Sequence, residues 1–375
     1  MANNDVFETV KGEDSTYTDE ALYNITSFGN DINFRQLVEM YDDGDIVKTE
    51  LQRKYVWSKK EASRFIDSVL LGLPVPSIFL AKIPNNKMLI IDGYQRIMTV
   101  RDFMRGVFSG DDRSFALSKT EGISAKWQGL TYAELPEEQK RAIRTYSIHA
   151  IVFEQKHPAD DTAMYQIFER INTGGQILRP QEIRNCVYQG SFNTLLFDLN
   201  KLPVWRKVLG IETEDARMAD VELILRFFAL AELKHREEYN RSRINLMKYL
   251  NDFMYSKKNV SESELSEYKE RFVSTITFLH KTVGDSLFKT CKVQNGILHW
   301  AKKINPVVFD SVCIAAVNNF NMIRECDDVS STILTQKYEE LLTNDNFIEL
   351  TKTQTTDIDN IKQRIAFASD ILFGE

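Results

Sequence analysis

Hydrophobic positions first recur at helical spacing over Phe34–Tyr41 and again over Lys59–Leu71, which predicts two amphipathic helices. The pattern then changes to that of strands. Ser77–Lys82 and Met88–Ile91 are short apolar runs separated by the turn signal Ile83-Pro84-Asn85-Asn86, and Asp92-Gly93 closes the second run. A helix is predicted directly afterwards, with Ile97, Val100, Phe103, Met104 and Val107 on its apolar face and Gly106 near its C-terminus. Tyr146–Glu154, rich in Ile and Val, predicts another strand. Upstream, residues 1 to about 30 are acidic, carry several Thr and Asn and show no sustained period, so a flexible leader is expected, with structure starting near Ile32.

From Asp160 onward strand signals nearly vanish. Helical patterns cover Thr162–Arg170, Pro180–Tyr188, Asp220–Leu233, Ile244–Tyr255, Ser263–Val283, Pro306–Cys326 and Tyr338–Leu342, which predicts a helical bundle after a mixed first half. The fold class is therefore α+β, and no internal repeat is visible.

Composition bounds the function. A chain of 375 residues exceeds the usual single domain, and 43% hydrophobic residues supply enough apolar surface for large cores. The net charge of −7 argues against coating nucleic acid through bulk charge, while a local basic groove stays compatible with it. Cysteines 186, 291, 313 and 326 lie far apart with no CxxC, so neither a disulfide framework nor a zinc knuckle is indicated. No apolar run reaches the roughly 18 residues of a membrane span and the N-terminus lacks a signal-like segment, so a cytoplasmic protein without membrane contact is expected.

Two segments carry chemistry. In Leu89-Ile90-Ile91-Asp92-Gly93-Tyr94-Gln95-Arg96 a buried strand passes through Asp-Gly straight into a helix, whose free N–H groups and positive dipole end suit an anion. Gly93 would admit a phosphate close to the backbone, Arg96 would clamp it, and Asp92 would hold a metal or a water; the structural alternative is that Asp92 caps the helix and Arg96 is solvated. The second segment runs from Tyr165 to Asn185. Its helix ends in Asn172-Thr173-Gly174-Gly175, a run of backbone N–H groups fit for an anion nest, with Arg170 and Arg184 able to converge on it; the alternative is a glycine-capped connector.

Rival motifs are weaker. No P-loop, GxGxxG or HExxH occurs. A restriction-type nuclease core could be assembled from Asp92 with Glu154-Gln155-Lys156, but about seven acid-x-base triplets are expected by chance at this composition. The five histidines show no nuclease cluster.

Read together, Leu51-Gln52-Arg53-Lys54-Tyr55-Val56-Trp57, Phe65–Ile78, Ile91-Asp92-Gly93-Tyr94-Gln95-Arg96, Phe168–Gly175 and Arg217-Met218-Ala219-Asp220 before Arg226-Phe227 resemble the N-terminal, S-type domain of GmrSD-like restriction systems. The resemblance spans about residues 30–230. It implies a ParB/sulfiredoxin-like α+β fold followed by helices, in a bacterial system that restricts DNA or defends against phage. It also implies a nucleotide-binding, NTP-hydrolysing role. The family's Asp-Gly-Gln-Gln-Arg signature maps onto Asp92, Gly93, Tyr94, Gln95 and Arg96, making Asp92, Gln95 and Arg96 the implied catalytic residues; Tyr94 departs from the signature, exchanging an amide for a phenol. Arg53, Gly93, Tyr94, Arg170, Asn172, Thr173, Gly174, Gly175 and Arg184 are the implied nucleotide-binding set. The implied cofactors are an NTP and Mg²⁺ held by Asp92.

Family members often carry a C-terminal His-Me finger nuclease, whose motif is not seen over residues 231–375. The expected organisation is a leader over 1–30, a nucleotide-binding domain over 31–158 and a helical domain over 159–375. The expected partners are nucleotide, DNA, a separate nuclease or effector, and a further copy of the chain. The competing expectation is a non-enzymatic ParB-like DNA-binding or assembly protein, in which Lys234-His235-Arg236 and Lys302-Lys303 touch phosphates unless they are solvated helix faces. Phe227, Phe228, Phe253, Tyr255, Phe272 and Phe278 form either a docking surface or the bundle core.

Overall fold

The apolar runs of the first half pair into one sheet in a computed structural model, which describes residues 6–8, 24–48, 55, 57–83, 86–157, 162–171, 179–215, 217–236, 242, 244–320 and 328–374. In chain order the first elements are β1 (Asn24–Asn33), α1 (Phe34–Asp42), β2 (Ile46–Val47), α2 (Lys59–Leu70), β3 (Ile78–Lys82), β4 (Met88–Asp92), α3 (Tyr94–Arg105), β5 (Val107–Phe108), β6 (Arg113–Ser114), α4 (Glu137–Thr145), β7 (Ser147–His157) and α5 (Thr162–Ile171). The sheet order is β1-β7-β3-β4-β2, with β7 parallel to β3, β2 parallel to β4, and the other neighbours antiparallel. These elements belong to one folding unit, residues 21–178 with 185–187.

Local chemistry sets the helix boundaries. Asn33 caps α1 by accepting from the Gln36 amide, Ser58 and Glu61 form a reciprocal capping box on α2, and Gly106 closes α3 in a left-handed conformation. Alternate residues of the strands, Ile78 and Leu80 of β3 and Ile148, Ala150 and Val152 of β7, join Ile90 of β4 and Phe34, Leu37, Ile66, Ile97, Val100 and Phe103 of the helices in one core. The sheet's partly exposed residues include the stacked rings of Phe79 and Phe153, 6.0 Å apart.

The second unit comprises residues 1–20, 179–184 and 188–375. It takes residues 180–184 of α6 (Pro180–Val187) and continues with α7 (Ser191–Asn200), α8 (Pro203–Leu209), α9 (Ala219–Glu232), α10 (Leu246–Ser256), α11 (Glu262–Val283), β8 (Lys289–Gln294), β9 (Ile297–Ile304), α12 (Pro306–Asn318), α13 (Asp328–Thr343), α14 (Asp345–Lys352) and α15 (Ile358–Phe373). Helix α9 is buried on nearly every face from Asp220 to Ala231, so its acids and arginine need internal partners. Arg226 donates through Nε and Nη2 to Asp310 of α12 at 3.1 and 2.5 Å, and Arg364 of α15 approaches the same carboxylate at 3.7 Å. Asp220 accepts from Asn200, Arg206 and the Asp215 amide. Phe227, Phe228, Phe253 and Phe272 lie in this unit's core, and the expected surface alternative survives only for exposed Tyr255 and half-buried Phe278.

Several expectations are corrected. Within the expected leader Phe7 is buried and bridges Ile304, and β1 starts at Asn24, before Ile32; β1 is an edge strand paired to β7, and among its described side chains Ile32 alone is buried, so the sequence shows no apolar period to mark it. Val107 leaves the helix for β5 because Gly106 turns the chain through φ 80°. The helices at Glu137–Thr145, Ser191–Asn200, Pro203–Leu209, Asp345–Lys352 and Ile358–Phe373 were not anticipated. The largest difference is a β-hairpin, β8–β9, inside the predicted all-helical half. Its turn, Asn295-Gly296 with φ of 52° and 76°, is a strong hairpin signal that the surrounding helical pattern masked. Lys302-Lys303 therefore lies on a strand and not on a helix face.

Candidate functional site

Strand β4 is buried at Leu89, Ile90 and Ile91 and ends at Asp92, one residue before the helix that carries Tyr94, Gln95 and Arg96. The pairing of β3 with β4 slips here: Leu80 faces Ile90 but Phe79 faces Asp92, so Ile91 is the extra residue of a bulge. A bulge re-aims the strand end. Gly93 then takes φ 106°, and a Cβ at that position would lie 2.4 Å from Ile78 Cγ2 and 2.8 Å from Ile78 Cβ. Glycine is required twice over, by backbone conformation and by contact with β3. Its first structural duty is thus the strand-to-helix turn.

Helix α3 begins at Gly93 without any side-chain cap, so Asp92 does not play the capping role that the sequence left open. Asp92 instead accepts from Arg96 Nη2, which also donates to the Ser77 carbonyl at 3.2 Å. The Arg96 side chain is 13% exposed and that of Asp92 40%, so the pair presents its carboxylate outward and its guanidinium inward. Arg96 is therefore not a solvated arginine. Its Nε is buried without a hydrogen-bond partner.

The other signature residues turn elsewhere. Successive helical positions advance by about 100°, so Tyr94 and Arg96 diverge on α3. Tyr94 is buried and its hydroxyl accepts from Lys48 Nζ at 3.1 Å, with the ammonium 5.1 Å from the ring centre. Burial, then the Asp102 charge, pushes the Tyr94 phenol up, while a hydrogen bond with Tyr41 pulls it down. Tyr41 is pushed up to about 12, chiefly by its own burial. Gln95 accepts through Oε1 from the Trp57 amide at 3.2 Å, tying the segment before α2 to the junction. Trp57 and Ser77 belong to the family-like segments, whereas Lys48 belongs to none, and the fold brings it to Tyr94.

Arg170 is exposed in the last turn of α5, where its charge opposes the burial that raises Glu169. Arg184 lines a small cavity with Pro180, Glu222, Leu246 and Leu250. Its side chain is 2% exposed and donates to Asn251 at 2.8 Å, Gln181 at 3.0 Å and Glu222 at 2.9 Å, joining α6, α9 and α10 within the helical unit. The family-like Arg217 likewise pairs with Glu182 at 2.9 Å. Arg53, Asn172, Thr173, Gly174 and Gly175 lie outside the described residues.

The nuclease alternative fails on register. Phe79 of β3 faces Asp92, whereas Lys82 faces Met88, and Phe153 of β7 pairs with Ala81. Glu154 is thus level with Lys82, to which it is ion-paired at 3.0 Å, two strands across and about 10 Å along the sheet from Asp92. The two acids cannot share one metal ion. Among the described residues no group of three or more His, Cys, Asp or Glu is placed to hold a metal, so an all-protein cage is not offered. A single exposed carboxylate such as Asp92 does fit Mg²⁺ that arrives with phosphate oxygens, since that ion is commonly held by one or two carboxylates plus substrate.

No helix among the described residues is long and apolar enough to cross a membrane. Residues 34–189 match the family model described as the N-terminal domain of the GmrSD restriction endonuclease. No curated protein and no solved structure matches the chain.

Proposed function

We propose, from the premise that this chain carries a GmrSD-like N-terminal domain and so is a restriction or defence-system protein, that the β4–α3 junction binds a nucleoside triphosphate. The observation that carries this reading is the uncapped start of α3 set beside the Asp92–Arg96 pair. The first N–H groups of α3 donate to phosphate oxygens, and the dipole of that helix favours their charge. Arg96 fixes the Asp92 carboxylate and adds a charge-assisted donor. Asp92 would hold Mg²⁺, which on binding supplies charge neutralisation at the phosphates. In hydrolysis Asp92 orients the attacking water, and Gln95, anchored to Trp57, holds the approach to the junction in shape.

In this reading the chain is the regulatory, nucleotide-responsive component, and a separate nuclease or effector cuts DNA. The test is phosphate release by the purified chain with each of the four NTPs and Mg²⁺, beside plasmid nicking. Turnover that is lost in Asp92→Ala, without nicking by the chain alone, is the expected result. Turnover that persists in Asp92→Ala overturns the assignment, and metal-dependent nicking by the chain alone overturns the regulatory role.

A further inference from the structure

The β8–β9 hairpin is a positive island in an acidic chain. From Ser286 to Phe309 there is no Asp or Glu, while Lys289, Lys292, Lys302, Lys303 and His299 all fall on or between the two strands, in a protein of net charge −7. The register places Lys292 directly opposite His299. Both are exposed, as are Lys302 and Lys303. The opposite face is occupied: Cys291 donates to the Leu342 carbonyl of α13, and the Trp300 ring stacks on Tyr338 of the same helix at 6.3 Å. Among the described residues, two acids touch the hairpin at its base or from behind. Glu8 accepts from Asn305 and Thr290, and Glu339 lies near Cys291 on the packed side.

The tip adds a second observation. Ile297, 63% exposed, pairs with Gln294 beside the Asn295-Gly296 turn on the Lys292–His299 face, and Val293, 57% exposed, pairs with Leu298 on the other face. Large aliphatic side chains held out beside lysines and amides, on a hairpin braced from behind, form a contact surface and not a core.

We infer that the solvent face and tip of this hairpin bind double-stranded DNA. The lysines have the sign and spacing to pair with phosphates. A two-stranded ribbon is about 10 Å wide with its side chains and about 20 Å long over six residues, dimensions that a major groove about 12 Å wide admits. Because α13 covers one face, the ribbon lies along the groove wall with its tip reaching in. There Gln294 and Asn295 offer amides to base edges, and Ile297 offers an apolar contact to a thymine methyl. Two aliphatic side chains are a small area for a lipid anchor. The inference is independent of the nucleotide site, so its test contains no NTP.

The test is fluorescence anisotropy of a labelled duplex of about 30 base pairs with the full chain, titrated at several KCl concentrations. Wild type should bind with an affinity that falls linearly in log[salt]. The Lys292→Glu/Lys302→Glu double variant should bind at least about tenfold more weakly and lose about two units of salt slope, one near 0.9 for each phosphate contact. Ile297→Ser should weaken binding several-fold with the slope unchanged. All three positions are exposed, so an unaltered melting temperature serves as the folding control. Absence of duplex binding by wild type, or wild-type affinity and slope in the double variant, overturns the inference. So does tight binding to phosphatidylserine vesicles without duplex binding.

Discussion

Replacing Gly93 by Ala tests whether the Asp-Gly turn is held by packing before any ligand arrives. A non-glycine residue in left-handed backbone costs about 1–2 kcal/mol, and the structure adds a steric cost because the new Cβ would sit 2.4 Å from Ile78 Cγ2. Inserting a methyl group into a filled core typically costs about 1–3 kcal/mol, so the whole penalty is about 2–5 kcal/mol. Against a domain stability of about 5–15 kcal/mol that is a large fraction. Calorimetry of the full chain measures the loss, and hydrogen exchange in peptides of β3, β4 and α3 assigns it to the first unit. Part of the steric share is separable. In an Ile78→Ala background the Cγ2 contact is gone but the 2.8 Å approach to Ile78 Cβ stays, so Gly93→Ala should cost less than in wild type, while the backbone share and the Cβ contact persist. A Gly93→Ala protein within about 0.5 kcal/mol of wild type, or one whose cost is the same in both backgrounds, would refute the reasoning.

Other outcomes follow from the same contacts. Arg184→Ala should destabilise the helical unit by about 2–3 kcal/mol, because it removes a buried side chain and leaves Asn251, Gln181 and the partly exposed Glu222 without its donors, whereas an Arg184→Met/Glu222→Leu pair should recover part of the loss in a denaturant titration. Asp102, buried and bonded to the Ser109 amide and hydroxyl at 2.7 and 2.8 Å, has its carboxyl pushed up, chiefly by burial. The folded state then binds a proton more readily than the unfolded chain, so this group's contribution to stability rises as pH falls from its folded pKa toward the ordinary value near 4. Melting curves between about pH 7 and 4 should show wild type gaining on Asp102→Asn as the pH drops; a constant gap would contradict the assignment. Gly296→Val should loosen the hairpin turn by about 1–2 kcal/mol, read as faster amide exchange confined to β8 and β9.

The sequence made legible what depends on neighbours along the chain. Helices α1, α2 and α3, strands β3 and β4, and the Gly106 stop all follow from local period, caps and glycine. The elements it hid are those whose burial is not written in their own residues. Strand β1 is almost wholly exposed, and β8–β9 interrupts a helical pattern with only Asn-Gly to announce it. At the site, spacing placed Asp92, Gly93 and Arg96 on one strand-to-helix turn, which the structure has. It could not show that Tyr94 would face Lys48, 46 positions away along the chain, or that the Arg184 guanidinium would be consumed by Asn251 and Glu222. Charged residues implied by the same family resemblance looked alike in sequence. Their burial separates them, with Arg184 at 2% and the Asp92 carboxylate at 40%.

The central claim, a nucleotide at the β4–α3 junction, is tested most directly by ligand-induced thermal stabilisation. Wild type, Asp92→Ala, Arg96→Lys and Lys292→Glu would each be melted with Mg²⁺ and increasing ATP, GTP, CTP or UTP. At about 100 times its dissociation constant a ligand specific to the folded state adds about 2.7 kcal/mol, which shifts the melting temperature by a few degrees. A concentration-dependent shift for at least one NTP in wild type and Lys292→Glu, absent in Asp92→Ala and reduced in Arg96→Lys, is the predicted result. No shift with any NTP in wild type, or equal shifts in all four proteins, would contradict it.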